Sequence, residues 1–164
     1  MTDLYILRHG IAFPHSTPDI PDDERPLTPV GEKRMVRIAR GLVALGLKLD
    51  KIVSSPLPRA WRTAEIVAEA LDLSKQLEAA DVLRAGVDAT AIRDWLRTRT
   101  EPRLMIVGHN PAFSDLIGLM ITGEPTPLCE LRKGGVAALS ATDGSGLKLD
   151  WLARPRLLKR LGGD

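Results

Sequence analysis

Two histidines stand in matching local contexts. His9 follows the run from Leu4 to Arg8 and precedes Gly10, and His109 follows the run from Leu104 to Gly108 and precedes Asn110 and Pro111. Each comes just after a short, continuous apolar stretch of the kind that forms a strand buried on both faces. In a parallel sheet the C-terminal strand ends open on one edge, where ligands bind. The two imidazoles are therefore expected to face each other across a single hollow. Arg8 sits directly after a buried strand, a poor place for an idle charge. Arg59 falls in the first turn of a helix expected to begin at Pro58. The positive end of a helix dipole disfavours a guanidinium there unless an anion lies in front of it, and the free N–H groups of the helix start would help to hold that anion. Arginine's planar fork matches phosphate oxygens in pairs. Two histidines and two arginines, with no carboxylate cluster at metal-ligand spacing, fit phosphoryl transfer better than metal-dependent hydrolysis, and no metal site is expected.

Taken singly, none of these residues is specific. A histidine at a strand end is usually a satisfied polar group, and a lone arginine is usually a surface charge; the joint pattern carries the inference. His15 lacks that context and reads as a loop residue. Trp61, Trp95 and Trp151 read as packing, Cys129 as a small semi-buried residue, and Asp22, Asp23 and Glu24 as a solvated loop face. The basic stretch from Arg154 to Arg160 reads as a solvated tail, with a dock for an acidic partner as the minority reading.

The elements that must position these groups alternate between strand-like and helix-like patterns, the signature of a three-layer α/β/α sandwich with a mostly parallel central sheet. Strands are expected at Leu4 to Leu7, Lys51 to Ser54 and Leu104 to Val107. Thr28 and Pro29 open a first helix as N-cap and N1, with Met35, Ile38, Ala39, Leu42 and Leu45 as its apolar stripe and Gly46 as its stop. Pro58 opens a second helix, a third runs from Ala91 to Thr100, and Pro111 opens a fourth. Gly135 to Ser140 and Leu147 to Leu152 read as a closing hairpin with Asp143 and Gly144 as its turn. Between Ile11 and Leu27 lies a proline-punctuated stretch without periodicity, long enough for a functional role to be the default.

The 164 residues are expected to form a single domain spanning 1–164, with 44% hydrophobic and 27% charged residues, the balance of an ordinary globular chain. A net charge of +2 gives no support to nucleic-acid binding. No apolar run reaches the roughly 20 residues of a membrane span, and the first residues show no secretory pattern. The one cysteine excludes an internal disulfide and is compatible with a reducing compartment, so the expected location is cytoplasmic.

At these residues the chain resembles the histidine phosphatase superfamily, the phosphoglycerate-mutase-like enzymes. Arg8-His9-Gly10 is similar to the family's RHG signature. The stretch from Ser54 to Ala64 resembles its SSPxxRAxxTA segment, Gly108 to Pro111 its second histidine motif, and Leu27 to Gly31 the LTxxG that opens its first helix. One triplet is weak; four motifs in the family's order, spanning most of the chain, are strong. The resemblance implies a phosphoglycerate-mutase-like fold, His9 as a nucleophile that becomes phosphorylated, Arg8 and Arg59 as a phosphate clamp, and His109 as a stabiliser of the transferring group, with Asn110 beside it. It implies no metal and no organic cofactor.

Many relatives carry a general-acid glutamate after the second helix. Here that region runs from Asp81 to Asp88 without a glutamate, and Asp88 is the nearest acid. The short chain and the missing acid resemble the SixA-like phosphohistidine phosphatases. An alcohol leaves as a poor alkoxide and wants a proton from an enzyme acid, whereas a phosphorylated imidazole can take a proton on its distal nitrogen from solvent. The leading expectation is therefore turnover of phosphohistidine on a partner protein such as a histidine phosphotransfer domain. Two alternatives are a phosphatase of a small phosphate ester that uses Asp88 or a loop carboxylate as acid, and a non-catalytic module that binds phosphorylated partners; the intact His9 argues against the second.

Overall fold

The computed structural model describes residues 1–143 and 146–163. Strand β1 (Asp3–Arg8) lies parallel to β4 (Arg103–Gly108), with Arg8 opposite Gly108. On the far side of β4 comes β2 (Lys51–Ser54), also parallel, and then β3 (Leu77–Ala79), parallel again. On the other side of β1 comes β5 (Val136–Ala141), antiparallel, followed by β6 (Leu147–Ala153), antiparallel to β5. The order across the sheet is β3-β2-β4-β1-β5-β6. Four neighbouring strands thus run the same way, and their C-terminal ends share one edge.

Side-chain alternation along the central strands divides the core in two. Leu4, Ile6, Leu104 and Ile106 point to one face, under α3 (Ala89–Leu96) and α4 (Ala112–Thr122). Leu7, Met105 and Val107 point to the other, under α1 (Pro29–Ala44), α2 (Pro58–Ala70) and α5 (Pro155–Leu161). Each fully buried leucine or isoleucine contributes about 1.5–3 kcal/mol of transfer free energy, so both helical layers are held to the sheet from its two faces. This is the expected three-layer sandwich with a mostly parallel sheet.

The helix starts follow the capping chemistry. Thr28 accepts the Gly31 N–H at its side chain, with Pro29 at the first helical position, and α1 stops ahead of Gly46, whose φ is +69°. The third helix begins two residues earlier than its apolar pattern suggested, because the Asp88 carboxylate caps it. β3 was not anticipated; its three residues, Leu77, Glu78 and Ala79, are too few to show a period.

The C-terminal basic stretch is not a tail. Pro155 to Leu161 forms α5, whose Pro155 and Leu158 are buried while Arg156 and Arg160 stay exposed. Gly41 of α1 allows the close approach: a Cβ there would sit 2.1 Å from the Leu158 carbonyl oxygen. The hairpin of β5 and β6 is present as expected, while Gly144 of its anticipated turn lies outside the described residues.

Candidate active site

The β1–β4 pairing brings the two histidines together. His9 and His109 each follow the last residue of a paired strand, and the His9 N–H donates to the Gly108 carbonyl at 3.0 Å. Their rings lie 5.1 Å apart between centroids, tilted by 55°. Both are buried, at 6% and 5% exposure. His9 Nδ1 is 2.7 Å from the carbonyl oxygen of Gly10. A carbonyl oxygen can only accept, so Nδ1 carries the proton and Nε2 keeps the lone pair. His109 Nε2 is 2.9 Å from the Ser55 hydroxyl.

Gly10 ties this strand end to α2: its N–H donates to the Thr63 hydroxyl at 3.0 Å, and that hydroxyl donates to the Arg59 carbonyl at 2.7 Å. The LTxxG segment has an equally local reason. The Thr28 N–H donates to the Ile11 carbonyl at 2.9 Å, and a Cβ on Gly31 would lie 2.1 Å from that same oxygen. Glycine is required there because the departing loop passes over the helix start at backbone contact.

Arg59 is 2% exposed. Its Nη1 donates to the Asp22 carbonyl at 2.7 Å, its Nη2 lies 3.5 Å from the Asp22 carboxylate, and its Nε is buried without a hydrogen-bond partner. Arg8 Nη1 donates to the Leu131 carbonyl at 2.9 Å, and its Nε is likewise buried and unpaired. Buried donors are nearly always satisfied, so two orphaned guanidinium nitrogens beside two imidazoles have the character of an anion site. Burial pushes both guanidiniums below their ordinary pKa.

Asp22, read from the sequence as part of a solvated face with Asp23 and Glu24, turns out to organise the Ile11–Leu27 loop. All three are exposed, as a solvated face requires. The Asp22 carboxylate, however, accepts from Arg25 Nε at 2.7 Å, meets Arg59, and touches the exposed His15 ring. Burial would raise this carboxyl, but the Arg25 hydrogen bond and the Arg25 and Arg59 charges outweigh it and hold its pKa below the usual range. Arg25, itself buried, also donates to the Phe13 carbonyl at 2.5 Å. Sequence reasoning passed over Asp22, Arg25, Ser55 and the Leu131 carbonyl. Only Ser55 left a signal, a hydroxyl just past the C-terminal end of β2 on the same sheet edge.

Asn110 reaches the site, but its amide N–H groups go to the Ser114 hydroxyl at 2.9 Å and the Leu131 carbonyl at 3.2 Å, leaving its Oδ1 unpaired. Leu131 therefore joins Arg8 to Asn110. Asp88 is exposed and accepts the Ala91 N–H at 2.9 Å. It shares a hollow of about 520 Å³ with His109 and Asn110. Among the described residues no three His, Cys, Asp or Glu side chains are grouped as a metal ion would need, and no helix is long and apolar enough to cross a membrane.

Burial, then the His109 ring and, to a lesser degree, the Arg59 and Arg8 charges push His9 down to about 2, with the Gly10 hydrogen bond opposing them. Burial and the Arg59 and Arg8 charges push His109 down to about 3, with Asp22 opposing. Both rings are thus neutral at physiological pH. In the unfolded chain a histidine titrates near 6.5, so below about pH 6.5 the unfolded state takes up protons that the folded state refuses, and these two rings make stability fall with falling pH. In an NMR titration of the free protein, neither ring should protonate between pH 8 and pH 5, and bound vanadate, an anion, should raise both pKa values. A midpoint near 6.5 for either ring in the free protein contradicts this.

The sequence pattern of the histidine phosphatase superfamily (branch 1) matches residues 4–84. The chain is 34% identical, over 141 residues and 84% of each chain, to an uncharacterised protein of Picosynechococcus sp.. It is 24% identical over 159 residues to the phosphohistidine phosphatase SixA of Escherichia coli K12, covering 95% of this chain and 96% of that one. A solved structure of the protein histidine phosphatase SixA complexed with tungstate superposes with a TM-score of 0.84 at 24% identity, over 95% of this chain and 99% of that one. The family pattern and the SixA likeness support a phosphatase. The chain belongs to the histidine phosphatase superfamily.

Proposed function

We propose that the protein removes the phosphoryl group from phosphohistidine on a partner protein, by way of a covalent phosphohistidine at His9. The observation that carries this is the bond from His9 Nδ1 to the Gly10 carbonyl, which leaves Nε2 as an unprotonated nucleophile within the field of Arg59 and Arg8, each of which keeps an unpaired, buried nitrogen. Nε2 attacks phosphorus as the P–N bond to the substrate imidazole breaks. The electron pair of that bond stays on the departing ring, which takes its proton from solvent at the distal nitrogen and leaves neutral. Arg8 and Arg59 hold the phosphoryl oxygens, and His109, oriented by Ser55, stabilises the transferring group. Water then attacks phosphorus, inorganic phosphate departs, and the lone pair returns to Nε2. The work is positioning and charge stabilisation. The SixA relatives act, by name, on phosphohistidine, and the SixA structure carries tungstate, a tetrahedral oxyanion like phosphate.

One observation favours a second reading. Asp88 shares a hollow with His109 and could protonate an ester oxygen. Its carboxylate is already engaged as a helix cap, a task asparagine performs as well. Asp88→Asn should leave phosphohistidine turnover within about threefold of the parent, with the fold intact; a drop of about a hundredfold in the turnover of a phosphoester, within the range of general acid catalysis, assigns it the proton transfer and favours the ester. The direct test is a substrate panel at neutral to alkaline pH, where phosphohistidine survives. Phosphohistidine should turn over faster than simple phosphoesters; the reverse order overturns the substrate assignment.

A further inference from the structure

Beside the active site lies a hollow of about 500 Å³ lined by six cationic side chains: Arg8 at the end of β1, Arg34 on α1, Arg132 and Lys133 ahead of β5, and Arg154 and Arg156 at the start of α5. Glu130 is the one acid among its lining residues, and Arg132 pairs with it at 2.9 Å. With 23 basic and 21 acidic residues in the whole chain, composition does not explain this concentration. It is a local choice whose self-repulsion an anion would offset.

The hollow is held in place. The Gly134 N–H donates to the carbonyls of Arg8 at 2.9 Å and His9 at 3.1 Å, and Gly135 closes back on the Arg132 carbonyl at 2.7 Å. The loop bearing Arg132 and Lys133 is therefore registered against the residue that would be phosphorylated. Leu158, buried against α1, fixes the helix whose start carries Arg154 and Arg156. Arg34 Nε, like Arg8 Nε, is buried without a partner. Arg8 belongs both to this hollow and to the phosphate site, so the hollow begins where the reacting phosphoryl group ends.

We infer that this hollow receives the carboxylates flanking the phosphorylated residue of a protein substrate, so that the enzyme selects phosphohistidine within an acidic stretch. The inference rests on the proposed function and names its partner class. Arg154 and Arg156 are exposed and the Arg132 side chain keeps 58% of its surface. Cations spread in this way reach out to several carboxylates on a facing surface rather than closing around one compact anion. Such charge complementarity acts chiefly on encounter and affinity.

The test uses the full chain and two phosphohistidine peptides of equal length, one with glutamates and one with glutamines around the phosphorylated residue. At low salt the glutamate peptide should show a kcat/KM roughly tenfold higher, through KM, as expected for a few partly exposed charge pairs. High salt should remove that advantage. So should the variant Arg132→Gln/Arg154→Gln/Arg156→Gln, which should turn over the glutamine peptide at the parent rate. Equal kcat/KM for the two peptides, or an equal loss on both in the variant, overturns the inference. Faster hydrolysis of tripolyphosphate than of the glutamate peptide does so too, by assigning the hollow to a polyanionic small molecule. If neither peptide is turned over, the proposed function fails by itself; binding of the unphosphorylated glutamate peptide, present in the parent and lost in the variant, would still uphold the hollow, and equal binding would overturn it.

Discussion

Replacing His9 with alanine should abolish turnover and leave the fold in place. Without the attacking nitrogen no phosphoenzyme forms, and direct attack by water has no preorganised route. We expect a fall in kcat of at least about 10³-fold, the scale seen when a covalent nucleophile is removed. The side chain holds nothing together: its one hydrogen bond goes to the carbonyl of the next residue. The link from β1 to β4 at this point is the His9 backbone N–H to Gly108, which alanine keeps. The thermal transition should therefore stay close to the parent's, and the variant should still bind vanadate through Arg8, Arg59 and His109. An undiminished rate contradicts the nucleophile assignment.

The second large effect belongs to Arg59. Arg59→Ala should lower kcat/KM by about 10²–10³-fold, because it removes a preorganised charge aimed at the transferring group, and should weaken inhibition by phosphate or vanadate by at least about tenfold. It also frees the Asp22 carbonyl and carboxylate, although Arg25 keeps its own hold on Asp22. Arg59→Lys separates the two effects. It restores the charge without the planar fork, so it should recover only part of the loss. Unchanged inhibition by vanadate in Arg59→Ala counts against the clamp.

The histidines were legible because their placement follows from strand chemistry. Two apolar runs of similar length end in the same residue type, parallel pairing puts equal ends side by side, and Arg8 falls opposite Gly108 as that logic requires. Arg59 was legible from the helix start before it. Asp22 was not, because its partners depend on the path of a proline-rich loop that no periodicity fixes. Leu131 left no trace, since its contribution is a backbone carbonyl, which every residue has. Asn110 follows His109 in sequence, but its donors serve Ser114 and the Leu131 loop, a distinction visible only in hydrogen bonds. In α5 charge masks spacing: among its basic residues, Pro155 and Leu158, three apart, seat one turn on α1 where Gly41 allows the approach.

The most direct measurement is to catch the intermediate. Rapid alkaline quench during turnover, followed by peptide mapping, should find an acid-labile, alkali-stable phosphate on His9, appearing and decaying at rates compatible with kcat and absent from His9→Ala. Phosphate on another residue, or full turnover with none on the protein, would contradict the account.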